Sequence, residues 1–371
     1  MRVKWCKLKN FRNYEEAFVE FGDGINLIYG KNGMGKTNLV EAVMLNALSK
    51  SPRTSHDEDL QKEGQNYTEA EICVERSYGD VTLKCTIAEK GKKFYVNTNE
   101  VKKLSELFGS LVAVYFCPDD LKIVSESPSE RREFMDTDIS QLSGSYYNLI
   151  SRYNKVLFQR NKLLKTIHDK NLLLDQIDIW NEQLASLSGL IIKTRKNFIS
   201  KLSIPANEAL KFITNDADSL TLSYIGAKGE TSEEIKAEIL SSLEFNLTKD
   251  MEVGYTTVGP HRDDIKIELN GRDSKVFASQ GQQRSIVLAL KIAELKVFES
   301  ELNEKPILVL DDVFSELDSA RQKKLYDNFK GCQVLMTGTA FKFKPDESYV
   351  QINVKDAKIK IKDIKRKTDK M

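Results

Sequence analysis

The sequence predicts an α/β fold: a mixed sheet built from both ends of the chain, interrupted by a lobe of long helices. Three observations predict it. Short apolar runs at residues 25–29, 111–116 and 306–310 have the length and composition of buried strands. Residues 69–97 alternate apolar and polar side chains with a period of two. From Pro128 to about residue 250 there is little strand signal, and apolar residues recur at spacings of three and four.

Residues 3–29 read as strands and turns ending in a buried strand, with Ile25, Leu27, Ile28 and Tyr29. Residues 38–48 switch to helical spacing, which puts Val40, Val43, Met44, Ala47 and Leu48 on one face. In 69–97, Val81, Leu83, Cys85 and Ile87 alternate with Thr82, Lys84 and Thr86, and turns fall at Gly79-Asp80 and Lys90-Gly91. That pattern predicts an antiparallel meander with one solvated face. Tyr146, Leu149, Tyr153, Val156, Arg160, Leu163 and Ile167 then step by three and four, as do Leu173, Ile177, Trp180, Leu184, Leu187, Ile191, Thr194 and Phe198.

The polar break His168-Asp169-Lys170-Asn171 between these two series predicts an antiparallel αα-hairpin; one kinked helix is the alternative. An arm of about 28 residues reaches only about 40 Å, too short for a chromosome-spanning coiled coil. Strand and turn signals return over 253–277, a helix over Gln282–Glu299 and a buried strand over Pro306–Leu310. Residues 333–336 and 349–354 read as further strands, and Lys358, Lys360 and Lys362 line an edge strand that resists further pairing. The expected organisation is a discontinuous body, residues 1–122 and 256–371, with a helical lobe, residues 123–255, inserted in it.

A chain of 371 residues suits one large domain or two ordinary ones, and 40% apolar with 30% charged residues excludes compositional disorder. The net charge of +1 excludes a globally basic nucleic-acid binder but not a locally basic face. Residues 355–371 carry a net +5 and the rest −4, so the basic tail is either a phosphate contact or a solvated terminus. Five scattered cysteines with no CxxC pair, and only three histidines, argue against disulfides and a zinc or His-rich centre. No apolar run approaches the roughly 20 residues of a membrane span, and Met1–Trp5 lacks the apolar stretch of a secretion signal. A soluble cytoplasmic protein with no membrane partner is expected.

The strongest chemical signal is Gly30-Lys31-Asn32-Gly33-Met34-Gly35-Lys36-Thr37, a GxxxxGK[ST] loop between a predicted strand and a predicted helix. Glycines let backbone N–H groups surround phosphates, and the following helix start adds partial positive charge. Lys36 would supply a solvated point charge and Thr37 a hydroxyl to Mg²⁺. Asp311 and Asp312 end the strand at 306–310. Asp311 fits a metal anchor, and Asp312 a carboxylate that orients or deprotonates a water. Ser279-Gln280-Gly281-Gln282-Gln283-Arg284 opens a second helix, 242 residues after Thr37, either as a simple N-cap or as a second anion site.

These three segments, with Ser315-Glu316-Leu317-Asp318, resemble an ABC-type P-loop ATPase head of the SMC-like superfamily. The whole chain is more specifically similar to the RecF family of bacterial DNA recombination and repair ATPases. The residues that carry the resemblance run end to end: Leu8–Tyr14, Gly30–Ala42, Arg53-Thr54, Pro118–Leu121, Pro128–Asp136, Gly259–Asp264, Ser279–Arg284 and Leu310–Asp318. The resemblance implies ATP and Mg²⁺ as cofactors. Gly30, Lys31, Asn32, Gly33, Met34, Gly35, Lys36, Thr37 and Asn38 would hold ATP in one subunit, with Thr37 and Asp311 on the metal and Asp312 catalytic. Ser279, Gly281 and Gln282 would cap the γ-phosphate of ATP held by a second copy, so that ATP joins a homodimer, with Asp318 in the segment that crosses the interface.

It further implies a weak, DNA-stimulated ATPase that clamps DNA with little regard to sequence at gaps or duplex/single-strand junctions. Such a protein acts with RecO and RecR to load recombinase in repair, replication-fork maintenance and the SOS response to DNA damage. Three departures from a general ABC head imply slow hydrolysis. Asp312 replaces its usual Glu, Thr337-Gly338-Thr339 has no switch His, and Phe116-Cys117-Pro118-Asp119 has no Gln. A nucleotide-dependent scaffold with incidental hydrolysis and DNA held mainly by partners is the alternative; a transporter ATPase subunit fits less well. His261 is either catalytic or a turn residue bonded to a neighbouring carboxylate. Arg131 and Arg132 could contact phosphate or pair with Glu130 or Glu133.

Overall fold

The computed structural model describes residues 1–167, 170–314, 319–339, 345 and 348–364. In chain order the elements are β1 (Arg2–Phe11), β2 (Tyr14–Glu20), β3 (Ile25–Tyr29), α1 (Lys36–Leu48), β4 (Tyr67–Arg76), β5 (Gly79–Ala88), β6 (Gly91–Val96), β7 (Asn99–Glu100) and β8 (Ala113–Phe116). There follow α2 (Lys122–Ser125), α3 (Pro128–Leu142), α4 (Gly144–Thr166), α5 (Lys170–Thr214), β9 (Leu220–Ile225), α6 (Ser232–Phe245), α7 (Leu247–Val253), β10 (Asp264–Leu269), β11 (Arg272–Asp273) and α8 (Ser274–Phe277). The chain continues through α9 (Gln280–Leu302), β12 (Ile307–Leu310), α10 (Ser319–Asn328), β13 (Val334–Gly338), β14 (Tyr349–Lys355) and β15 (Lys358–Ile364). It divides into two compact units, residues 1–120 with 288–371 and residues 121–287.

The first unit holds two sheets. One has the order β15-β14-β3-β13-β12-β8, parallel except for β15, which pairs antiparallel at the edge. The other is an antiparallel meander, β2-β1-β4-β5-β6-β7. Burial along β5 alternates as its sequence period predicts. Helix α1 departs from the expected single apolar face: from Leu39 to Leu48 every residue is buried. It packs against strands of both sheets, so its whole circumference meets protein.

In the second unit, α4 and α5 pack with falling against rising residue numbers. Arg160 Nε donates to Asn181 Oδ1 at 2.8 Å, and Arg195 Nε to Tyr146 Oη at 3.1 Å. Part of the expected break, residues 168–169, lies outside the described residues. Helix α5 runs on to Thr214, well past the Phe198 where its pattern was read, and contains Pro205. The missing N–H is outweighed because Leu202, Ala206, Ala209, Leu210 and Ile213 keep the buried stripe in phase. Strand β9 was not expected. Its Leu220 and Leu222 face inward beside outward Thr221 and Ser223, and it pairs with β10 across a stretch read as helical. Among the described residues no helix is long and apolar enough to cross a membrane.

Candidate functional site

Strands β3, β13 and β12 lie side by side and parallel, so their C-terminal ends gather at one edge of the sheet. The Gly30–Thr37 loop leaves β3, Thr337 sits near the end of β13, and Asp311 follows β12. Thr37 Oγ1 donates to Asp311 Oδ1 at 3.0 Å, and Thr337 Oγ1 donates to the same oxygen at 2.7 Å. Asp311 Oδ2 accepts from Tyr115 Oη at 3.0 Å. The Asp312 N–H donates to Thr337 Oγ1 at 2.9 Å. Asp311 is thus buried with its carboxylate held by three hydroxyls. Burial, and then the charge of Asp311, push the Tyr115 pKa far above the tyrosine range. Sequence reading missed Tyr115, whose signal was its place near the C-terminal end of a buried strand.

The loop has the shape its glycines allow. A side chain at Gly30 would put Cβ 2.1 Å from Val354 O; at Gly35, where φ is 111°, it would sit 2.9 Å from Asn13 Oδ1 and Tyr14 Oη. Lys31, Asn32 and Gly33 are exposed, Met34 half-buried. Gly35 is the N-cap of α1 and no side chain bonds there, so the first-turn N–H groups stay available to an anion. Lys36 was expected to be solvated; it is instead 4% exposed, its Nζ donating to Lys31 O at 3.2 Å. The ammonium is held inside the loop by that carbonyl.

Behind the loop lies a network that unites segments otherwise scattered in sequence. Glu41, fully buried, accepts two bonds from Arg12 (3.0 and 2.6 Å), one from Ser51 (2.6 Å) and one from Arg53 (3.2 Å). Arg53 also donates to Asn38 Oδ1 at 3.0 Å, and Asn38 to Asn13 Oδ1 at 2.8 Å. Tyr14 Oη donates to Gly35 O at 3.0 Å.

Asp312 adopts φ 57°, a left-handed conformation that Asp tolerates better than most residues. The Ser279–Arg284 segment opens α9 in the second unit. Ser279 Oγ accepts from Gln282 N at 3.3 Å, while the Ser279 N–H donates to Gln282 Oε1 at 3.1 Å, a reciprocal capping box on an exposed helix start. Gly281 and Gln282 are half-buried beside it. Ser315–Asp318 lie outside the described residues. In the segment without Gln, Cys117 N donates to Asp120 Oδ2 at 2.7 Å, and Asp120 pairs with the buried Lys291 at 3.1 Å.

The residues left open in sequence are structural partners. Arg131 is 6% exposed and pairs bidentately with Asp264 (2.6 and 3.0 Å), not with Glu130 or Glu133. Arg132 donates to Asp263 O at 2.8 Å. His261 does not bond a carboxylate. Its Nδ1 lies 2.6 Å from Tyr153 Oη and its Nε2 3.0 Å from Thr256 O. The carbonyl can only accept, so Nε2 carries the proton and Nδ1 accepts from the tyrosine. Burial lowers the His261 pKa to about 4 and keeps the ring neutral.

Residues 2–358 match the family model described as the RecF/RecN/SMC N terminal domain. The chain is 42% identical over 359 residues to the protein named DNA replication and repair protein RecF from Alkaliphilus oremlandii, covering 94% of this chain and 98% of that one. It is 42% identical over 346 residues to the RecF of Ruminiclostridium cellulolyticum, covering 91% and 93%. The chain belongs to the RecF family. A solved structure of the recombination mediator protein RecF with ATP, from the RecFOR pathway, superposes with TM-score 0.89 at 35% identity over 97% of both chains. Heads of Smc proteins, at 16% identity and TM-score 0.56, share the fold. The α/β head with a mixed sheet and a helical lobe is therefore the RecF architecture.

Proposed function

We propose that this chain is an ATP-dependent DNA-binding protein of recombinational repair, and that ATP binding makes it a homodimer that clamps DNA. The observation that carries the reading is the meeting of Thr37 and Asp311, at 3.0 Å, beneath a glycine loop with an uncapped helix start. The donor set fits a nucleotide. Backbone N–H groups of Gly33–Thr37 and the Lys36 ammonium would hold the phosphates; Asn38 would steady the loop through Asn13. Thr37 and Asp311 would hold Mg²⁺, which supplies charge neutralisation between phosphate oxygens. Asp312 would orient water for slow hydrolysis.

Ser279, Gly281 and Gln282 would serve the nucleotide of a second copy. On this reading the functional head takes in residues 1–122 and 256–371, and the inserted lobe 123–255, a division by role rather than by compactness. A RecF relative solved with ATP and placed in the RecFOR pathway supports ATP as ligand and DNA, RecO and RecR as partners; a cytoplasmic location is part of the same proposal. Hydrolysis would be weak and stimulated by DNA.

Light scattering of the purified chain without nucleotide, with ADP and with ATP and Mg²⁺ tests this. A dimer is expected only with ATP. Ser279→Arg should bind ATP yet stay monomeric, since bulk and charge enter a site of close approach. Asp312→Asn should give a long-lived dimer, and Asp311→Asn should weaken the metal and blunt dimerisation. A monomeric Asp312→Asn with ATP bound would sink the composite site in favour of the scaffold.

A further inference from the structure

Helix α4 has an unusual composition. Its 23 residues contain no Asp or Glu. Arg160 is buried and paired with Asp250 at 2.7 Å, but Arg152, Lys155, Lys162 and Lys165 are exposed, and none makes an ion pair among the described residues. Strand β1 differs: there Lys7 faces Glu71 and Lys9 faces Glu16 and Glu69 in the strand registers. Glu182 on α5 shares a groove with Arg152 and Lys155 but is held by Lys236.

Helical spacing puts Tyr147, Ser151, Asn154, Lys155, Phe158, Lys162 and Lys165 along one stripe of α4. Phe158 is 65% exposed in the middle of it. An open depression of about 430 Å³ runs over Tyr147, Ser151, Asn154, Lys155 and Phe158. An exposed phenylalanine flanked by uncompensated cations and amides has no use for solvent and none for a duplex, whose bases are already stacked. It does suit an unstacked base, with lysines placed to meet the phosphates on either side; Lys155 and Lys162 lie about 10 Å apart along the helix axis.

We propose that the outer stripe of α4 is a binding site for single-stranded DNA, in which a base stacks on Phe158 and the backbone follows Lys155, Lys162 and Lys165. The site lies wholly in the helical lobe and needs no nucleotide, so it stands apart from the ATP-driven dimer.

The test is fluorescence anisotropy of a labelled oligothymidylate of roughly 16 nucleotides with the full chain and no nucleotide, beside a duplex of the same length. Wild type should bind the single strand with a log–log salt slope near −2, about 0.7 for each of the three lysines. Phe158→Ala should weaken it roughly 5- to 100-fold and leave the duplex within about twofold. Phe158→Tyr should retain binding where Phe158→Leu does not, which separates stacking from bulk. Lys155→Ala/Lys162→Ala should cut the salt slope to roughly a third. ATP binding should be unchanged in every variant, so failure here is distinct from failure of the dimer reading. No single-strand binding by wild type, a Phe158→Ala within twofold of it, or an equal loss on duplex would each overturn the proposal.

Discussion

His261 and Asp263 sit two residues apart in the second unit and are expected to pull its acid stability in opposite directions. Burial lowers the His261 pKa from 6.5 to about 4, so the unfolded chain takes up a proton first and stability falls as pH drops through that window. Burial raises the Asp263 pKa from 3.8 to about 6, against the Tyr224 hydroxyl, Arg195 and Arg132, so the folded chain takes up the proton first and stability rises as pH drops from 6 toward 3.8. Between pH 7 and 4.5 the histidine should cost about 2.5 kcal/mol and the aspartate return about 2. The two nearly cancel in wild type. His261→Gln, which keeps a donor and an acceptor for Thr256 and Tyr153, should therefore gain about 2.5 kcal/mol over wild type on that descent, and Asp263→Asn should lose about 2. Urea unfolding followed by Trp180 emission in a Trp5→Phe background measures both. Parallel pH profiles for wild type and His261→Gln would show that the ring is not held neutral, and the reasoning would fail.

Other outcomes follow from the same geometry. Arg160→Met should destabilise by about 3–5 kcal/mol, because Asp250 is left buried without its cation; Arg160→Met/Asp250→Leu should cost less, and a double-mutant cycle in urea reads the difference. Lys36→Met should abolish ATP binding in a titration while melting stays within a few degrees, since the carbonyl of Lys31 loses only one bond. Glu41→Gln should lower both stability and ATP affinity, as it leaves Arg12 and Arg53 without a carboxylate behind the loop; a change in neither would show the network to be idle.

The parallel sheet was legible because its strands are short, apolar and β-branched, which few other elements can be. The glycine loop was legible because its chemistry needs fixed residue types at fixed spacing. Strand β9 was hidden by six residues of alternation inside a long helical stretch, where partner β10 lies some 40 residues away and no local signal names it. Pro205 gave no warning that α5 would pass through it, since tertiary burial of Leu202 and Ala206 decides that. Arg131 invited a phosphate reading because its true partner, Asp264, is distant in sequence and nearer acids stood beside it.

The segments that mark this family divide by what their side chains touch. Arg12 and Arg53 close on Glu41 behind the loop; Arg131 closes on Asp264; Arg195 joins Asp136 and the carbonyl of Pro260 at 2.7 Å. Each of these charges is paired, Arg53 with its side chain 43% exposed and the other arginines largely buried, so their contribution is to hold Asn38 and the Gly259–Asp264 turn in place. Lys31, Asn32, Gly33 and Ser279 are exposed and carry no such burden. Substitutions in this paired set should therefore appear first in unfolding free energy and only through it in nucleotide binding, most strongly where the change strands a buried partner charge, which costs several kcal/mol. Substitutions at Lys31 and Asn32 should appear in nucleotide binding and dimerisation with unfolding unchanged, because they remove contacts that only a ligand or a second copy can complete; at Gly33, where φ is 78°, and at the Ser279 cap a stability cost of about 0.5–2 kcal/mol is added.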